Sequence, residues 1–206
     1  MRITYTIIRT DGQERGEEMV DITRKQKLRA IGAEVLSDAL MDLEICLGPV
    51  KTLVDRLVCS EEENIRYFKD KFLSIRGSDH YVDWREVSDF SMELAALLQS
   101  LKYGVRDPLI GMELVAQFYE LDVFILNYCD DSCGDISQLF GYNAKELFLE
   151  YACHCEDKQK VADLILKLSL EDEYSLRCGL IESVRECNIP EELIRSMVVT
   201  LQKLGE

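Results

Sequence analysis

The sequence has no run approaching the roughly 20 uncharged apolar residues that a membrane-spanning helix needs. Its opening stretch, Met1-Arg2-Ile3-Thr4-Tyr5-Thr6-Ile7-Ile8-Arg9, has no apolar segment of the kind that marks a signal peptide. The expectation is a cytoplasmic chain that does not engage a membrane. Basic residues are few: 24 Lys and Arg stand against 39 Asp and Glu, a formal charge of −15 at pH 7. A surface this negative repels a phosphate backbone, so nucleic acid is not expected as a partner. Histidine is scarcer still, with His80 and His154 the only imidazoles. No Gly-rich phosphate loop, G-x-S-x-G elbow or H-E-x-x-H pair occurs, which removes the local signatures of nucleotide binding, serine hydrolysis and zinc proteolysis.

What is present is apolar substance. An apolar fraction of 47% over 206 residues is ample for a packed core, so disorder is not the expected state. Eight cysteines are scattered through segments of helical pattern, and in a chain without an export signal they are expected to remain thiols, most of them packed as small buried apolar residues. The acidity is uneven, because residues 107–206 carry −12 of the −15.

Residues 1–22 differ from the rest. Ile3, Tyr5 and Ile7 alternate with Thr4 and Thr6, followed by Asp11-Gly12 and Met19-Val20-Asp21-Ile22, which predicts a short N-terminal β-hairpin. Two strands alone are marginal in water, so the hairpin should pack on the helices or mediate a homodimer. Residues 23–206 read as a single α-helical repeat domain of nine or ten helices, interrupted at places such as Gly48-Pro49, Gly77-Ser78, Gly104, Asp130–Asp135 and Pro190. The spacing of Trp84, Val87, Phe90, Leu94, Leu97 and Leu101 predicts a helix over 84–101, with Asp83 as cap and Glu86 three residues on. Asp107-Pro108 starts another, striped Leu109, Met112, Val115, Tyr119, Val123, Leu126 and read as one long helix. The last follows Pro190 and stripes Leu193, Met197, Leu201 and Leu204.

An internal echo points to stacking. Tyr103-x-x-Arg106-x-x-Leu109-Ile110 returns 71 residues later as Tyr174-x-x-Arg177-x-x-Leu180-Ile181, and half that interval is close to the roughly 34-residue helical-hairpin repeat. The expected fold is all-α: stacked antiparallel helical hairpins, as a TPR- or HEAT-like solenoid or a bundle, with the N-terminal β-hairpin appended.

Three stretches, Tyr81-Val82-Asp83-Trp84-Arg85-Glu86, Asp130-Asp131-Ser132-Cys133-Gly134-Asp135 and Tyr174–Gln202, resemble a bacterial helical-repeat family of unknown function that occurs alone or downstream of SWIM-type zinc fingers. The resemblance implies the helical fold and carries over no active-site residue. The SWIM finger itself needs a C-x-C pair followed by C-x-H; Cys153-His154-Cys155 supplies only the first spacing.

The tempting chemistries have ordinary explanations. Placing Gly134 at position 6 of a calcium loop puts Cys129, Cys133 and Phe140 at ligand positions, so the acidic loop is expected to be a helix-to-helix turn capped by Asp131 or Ser132. Cys153, His154 and Cys155 could join Cys129 and Cys133 around a zinc ion, but Cys153 and Cys155 lie at a helix end with one residue between them, where a zinc turn needs two to four, so helix packing is the expected role. Neighbouring helix residues point about 100° apart, so His154 is badly placed to activate either adjacent thiol. No catalytic residue, metal or cofactor is therefore expected. Tyr103, Arg106, Tyr174 and Arg177 remain the candidate partner-binding residues, with the competing reading that each Arg pairs with an acid to hold the helices together. The function expected is a non-catalytic protein-interaction scaffold or adaptor with a protein partner, basic if the acidic half lines a groove. The alternative is an enzyme or small-ligand-binding protein whose pocket is built from distant residues.

Overall fold

The structure, a computed structural model, describes residues 24–46 and 48–204. Every regular element among them is helical, and the one extended feature is an isolated parallel bridge between Val82 and Cys129. The all-α expectation holds; the hairpin expected over residues 1–22 lies outside the described residues. Among the described residues no helix is long and apolar enough to cross a membrane.

The chain divides into two units, one ending at Val54 and the other starting at Asp55. In the first, helix α1 (24–31) is followed by α2 (Ala33–Cys46) and the start of α3 (Gly48–Val58). Gly32 separates α1 from α2 at φ +97, a left-handed conformation that a side chain would strain.

The second unit opens with α4 (Glu61–Arg76). Ser60 and Glu63 close a capping box, in which Ser60 N–H donates to Glu63 Oε2 at 2.8 Å and Glu63 N–H donates to Ser60 Oγ at 3.2 Å. The Ser60 backbone N–H, and after it the Ser60 hydroxyl, holds the Glu63 carboxyl below its ordinary pKa. There follow α5 (Val87–Gly104), α6 (Pro108–Tyr119) and α7 (Asp122–Tyr128). Next, α8 (Asp135–Gln138) runs through a π-helical turn at Leu139–Ala144 into α9 (Lys145–His154). The unit ends with α10 (Lys158–Leu170), α11 (Leu180–Ser183) with a 3-10 turn at Val184–Cys187, and α12 (Glu191–Leu204).

Helix α6 lies at the centre. Its start is the one expected: Asp107 Oδ1 accepts from Leu109 N–H at 2.9 Å and Ile110 N–H at 3.1 Å, with Pro108 in the first turn. Met112, Val115, Phe118 and Tyr119 are completely buried, each stabilising the fold by about 1.5–3 kcal/mol through removal of apolar surface from water. Its principal partner is α9, while α4 packs on α5 and α10 on α12.

Two expected elements are corrected. The helix predicted from residue 84 begins at Val87, because Asp83–Glu86 closes a turn of its own: Arg85 N–H donates to Asp83 Oδ1 at 2.7 Å and Glu86 N–H to Asp83 O at 3.0 Å. Trp84 consequently leaves the apolar stripe and stands 62% exposed, with the Arg85 guanidinium 5.0 Å from its ring centroid. The long helix predicted from Asp107 to Leu126 breaks at Glu120-Leu121, and Asp122 starts α7 as a buried carboxylate.

Candidate functional site

Helix α4 ends at Gly77, whose N–H donates to Leu73 O at 2.9 Å, and the chain then turns across the end of α7. Val82 N–H donates to Tyr128 O at 2.8 Å and Asp130 N–H to Val82 O at 3.0 Å, which pins this segment in place. A cleft of about 260 Å³ opens where it meets α4, α5 and α7. Buried Ile75, Val82 and Ile125 contribute to the lining, and Phe90, Phe124 and Tyr128 add aromatic surface. Phe124 and Tyr128, one helical turn apart, stack with centroids 5.0 Å apart.

The polar groups lie on exposed side chains. Lys71 Nζ donates to Glu93 Oε1 at 2.9 Å, a bond that raises the Lys71 pKa, and His80 Nε2 lies 3.2 Å from Glu86 Oε2. Cys129 is the thiol on the cleft wall. Burial, reinforced by the nearby Asp131 and Asp130 charges, pushes its pKa up to about 11. A thiol so shifted is almost wholly protonated near neutrality and is a poor nucleophile. Alkylation with iodoacetamide at pH 8 should therefore modify the exposed Cys133 and Cys178 well before Cys129, by at least about tenfold in rate. Peptide mass mapping reads the order, and equal rates would contradict this account of the cleft wall.

The cleft walls are apolar and aromatic, and the Glu93 carboxylate at their edge is paired with Lys71. A smaller cleft of about 190 Å³ lies between α5 and the π-helical turn, with Gln99, Lys102, Tyr103, Asn143 and Glu146 in its lining. A third, of about 330 Å³, includes Asp107, His154 and Asp157, but two of these carboxylates cap helices: Asp107 that of α6, and Asp157, which accepts from Lys160 N–H at 3.0 Å, that of α10.

The four candidates from the internal echo go to different surroundings. Tyr103 is 51% exposed at the end of α5. Arg106 is exposed, and its backbone N–H and that of Asp107 donate to Glu61 Oε1, both at 3.1 Å. Tyr174 is 42% exposed and donates its hydroxyl to Asn127 Oδ1 at 2.9 Å. Arg177 is buried. Its Nε and Nη2 donate to Asp122 Oδ2 at 3.0 and 2.6 Å, its Nη2 also to Tyr119 O at 2.8 Å, and its Nη1 to Leu168 O at 3.1 Å. Residues 171–179 form turns, so Tyr174 and Arg177 do not share a helix face. The structure does not bring the two Tyr/Arg pairs to one cleft.

The acidic loop is the expected turn. Asp131 accepts from Ile136 N–H and Ser137 N–H, both at 2.9 Å, and from Ser137 Oγ at 2.6 Å, so its carboxylate caps α8. Cys153 is bonded to Cys187 as a disulfide, which corrects the expectation that the cysteines all stand as separate thiols. The fold brings together two residues that lie 34 positions apart. His154 Nδ1 lies 2.7 Å from Glu150 O, and among the described residues no three His, Cys, Asp or Glu side chains are placed to hold a metal ion.

A family model described as a family of unknown function, DUF6880, matches residues 23–202. The chain belongs to DUF6880. All three stretches that carry the resemblance noted above fall within the DUF6880 match. No curated protein and no solved structure matches the chain. Within this DUF6880 member the sequence reading placed Phe90 only in a helical stripe and missed the cleft residues Phe124 and Tyr128, although their four-residue spacing was a local signal for an aromatic pair.

Proposed function

We propose that this DUF6880 member is a non-catalytic, cytoplasmic interaction module that seats a short segment of a protein partner in the cleft between α4, α5 and α7. In this reading the helices serve as a repeat-like scaffold or adaptor, whether alone or beside a SWIM-type finger. The observation that carries it is a preformed, half-open cleft with an apolar floor and carboxylates nearby, whose thiol is held protonated. Glu93, Glu86 and the negative charge of residues 107–206 favour a partner segment with a basic residue beside an apolar anchor. Self-pairing through residues 1–22 is a separate part of the proposal, read by light scattering on the full chain and on an Ile3→Glu, Ile7→Glu variant.

The test uses Ser74→Trp, an exposed position on the cleft wall where an indole would fill the opening without entering the core. The variant should keep the parent melting temperature and lose stoichiometric co-purification of the native partner. Binding to the parent should weaken steeply between about 0.05 and 0.5 M salt. Retention of the partner by Ser74→Trp refutes the cleft as docking site. The second reading, a small-ligand or enzyme pocket, is favoured by the cleft's assembly from residues as distant as Ser74 and Cys129. It would be recognised by a metabolite, not a protein, leaving with the parent and not with Ser74→Trp.

A further inference from the structure

We propose that Cys153 and Cys187 form a reversible disulfide latch, opened and closed by exchange with a low-molecular-weight thiol, that fastens the segment ahead of α12 to the end of α9. The bridge joins the exposed last turn of α9 to the 3-10 turn at Val184–Cys187. What it holds has little regular structure of its own. Between Leu170 and Glu191 the chain contains only the four-residue α11 and the 3-10 turn, and it passes through left-handed backbone at Ser175, Gly179 and Asn188. The first part of this segment is fixed independently of the bridge, because Asp172 accepts from Leu176 N–H at 2.8 Å and Arg177 N–H at 3.0 Å. In the second part, Leu180, Ile181 and Ile189 are buried among the described side chains, and the bridge fastens Cys187 to α9.

The two halves of the bridge differ in access. Cys153 is exposed, whereas Cys187 is 2% exposed. An external thiolate therefore attacks Cys153 Sγ. The Cys153–Cys187 bond breaks, and its electron pair leaves on Cys187 Sγ, which takes up a proton. A second thiol molecule then attacks the external sulfur of the mixed disulfide, releasing Cys153 as a thiol. Two thiol molecules are oxidised to one disulfide and the protein bridge is reduced to two thiols; closing is the reverse, with a low-molecular-weight disulfide as oxidant. The loop closed by the bridge, with its ends 34 residues apart, contains all of α10. A closed loop of this size favours the folded state by roughly several hundred-fold in equilibrium constant. The consequence falls on α12, which packs on α10 directly after the latched segment.

The test incubates the full chain in glutathione buffers graded from reduced to oxidised, quenches with an alkylating agent, and maps the cysteines by mass spectrometry beside hydrogen exchange. Cys153 and Cys187 should become protected together as one bridge, while Cys133 and Cys178 stay open to alkylation. Amides of residues 180–204 should exchange more slowly in the oxidised form, by roughly tenfold or more. The Cys153→Ser variant, altered at an exposed position, should keep reduced-form exchange in every buffer. Glutathione capping of Cys153 without a bridge, a bridge between other cysteines, or a bridge that leaves exchange over 180–204 unchanged would each overturn the latch.

Discussion

Replacing Arg177 with methionine is expected to destabilise the second unit by about 3–5 kcal/mol, as breaking a buried ion pair does elsewhere. The side chains of Arg177 and Asp122 are 2% and 1% exposed, so water solvates neither charge. The guanidinium donates to two carbonyls as well as to the carboxylate, and it sits 5.2 Å from the Tyr119 ring centroid. Methionine fills part of the volume but leaves Tyr119 O, Leu168 O and the Asp122 carboxylate without these donors. Burial already raises the Asp122 pKa, with Arg177 the main influence opposing it. A carboxyl whose folded pKa lies above its unfolded value costs stability at neutral pH. That cost shrinks as pH falls through the folded value, and it vanishes below the unfolded one. Losing Arg177 lifts the folded value further, so the deficit of Arg177→Met should be largest near pH 7 and diminish toward acid pH. Adding Asp122→Asn removes the buried charge and should recover part of the loss, with a coupling energy of roughly 1–3 kcal/mol. Urea titrations followed by circular dichroism at several pH values measure all three quantities. A loss under about 1 kcal/mol at pH 7 would mean that water reaches the pair.

The same residue marks the limit of what the sequence reveals. Capping chemistry is local, so Asp107-Pro108 and Pro190-Glu191 announced the starts of α6 and α12, and three- and four-residue spacings picked out Met112, Val115 and Tyr119 for the core. The start of α5 was misread because Asp83 and Glu86 have the spacing of a capping box but use it to close a turn ahead of the helix. The break after Tyr119 was hidden for another reason. Val123 and Leu126 continue the helical stripe, and only the tertiary partner of Asp122, Arg177, reveals why an acid sits there. The two Tyr/Arg motifs look alike in sequence, yet one guanidinium is exposed and the other is buried in a hydrogen-bonded knot. The cleft and the Cys153–Cys187 pairing were illegible because each joins segments far apart in the chain.

Gly111→Ala should destabilise the protein by about 2–4 kcal/mol, although alanine improves helix propensity by about 1 kcal/mol at an ordinary helical glycine. Gly111 lies in α6 against α9, and a methyl group there would collide with the edge of the Tyr151 ring, far inside van der Waals contact. Overpacking of this kind costs about 1–3 kcal/mol when the neighbour can yield. Tyr151 is poorly able to yield, because its hydroxyl donates to Leu101 O at 2.8 Å and is also 3.1 Å from Val105 O, tying α9 to the carbonyl end of α5. Burial raises the Tyr151 pKa well above the usual tyrosine range, so the hydroxyl keeps its proton at any pH where the fold is tested. Swinging the ring aside would leave those buried carbonyls without their donor, adding about 1–3 kcal/mol. Gly141 supplies the control: a methyl group there meets Leu176 O at 3.5 Å, ordinary contact, and Gly141→Ala should stay within about 1 kcal/mol of the parent. Tyr151→Ala is itself expected to be costly. In the Gly111→Ala background, however, the two losses should fall short of their sum, since the ring that creates the clash is gone. Thermal and urea unfolding of the four variants decides the matter. A Gly111→Ala protein as stable as the parent would show that α9 moves off α6 without giving up the Tyr151 hydrogen bonds.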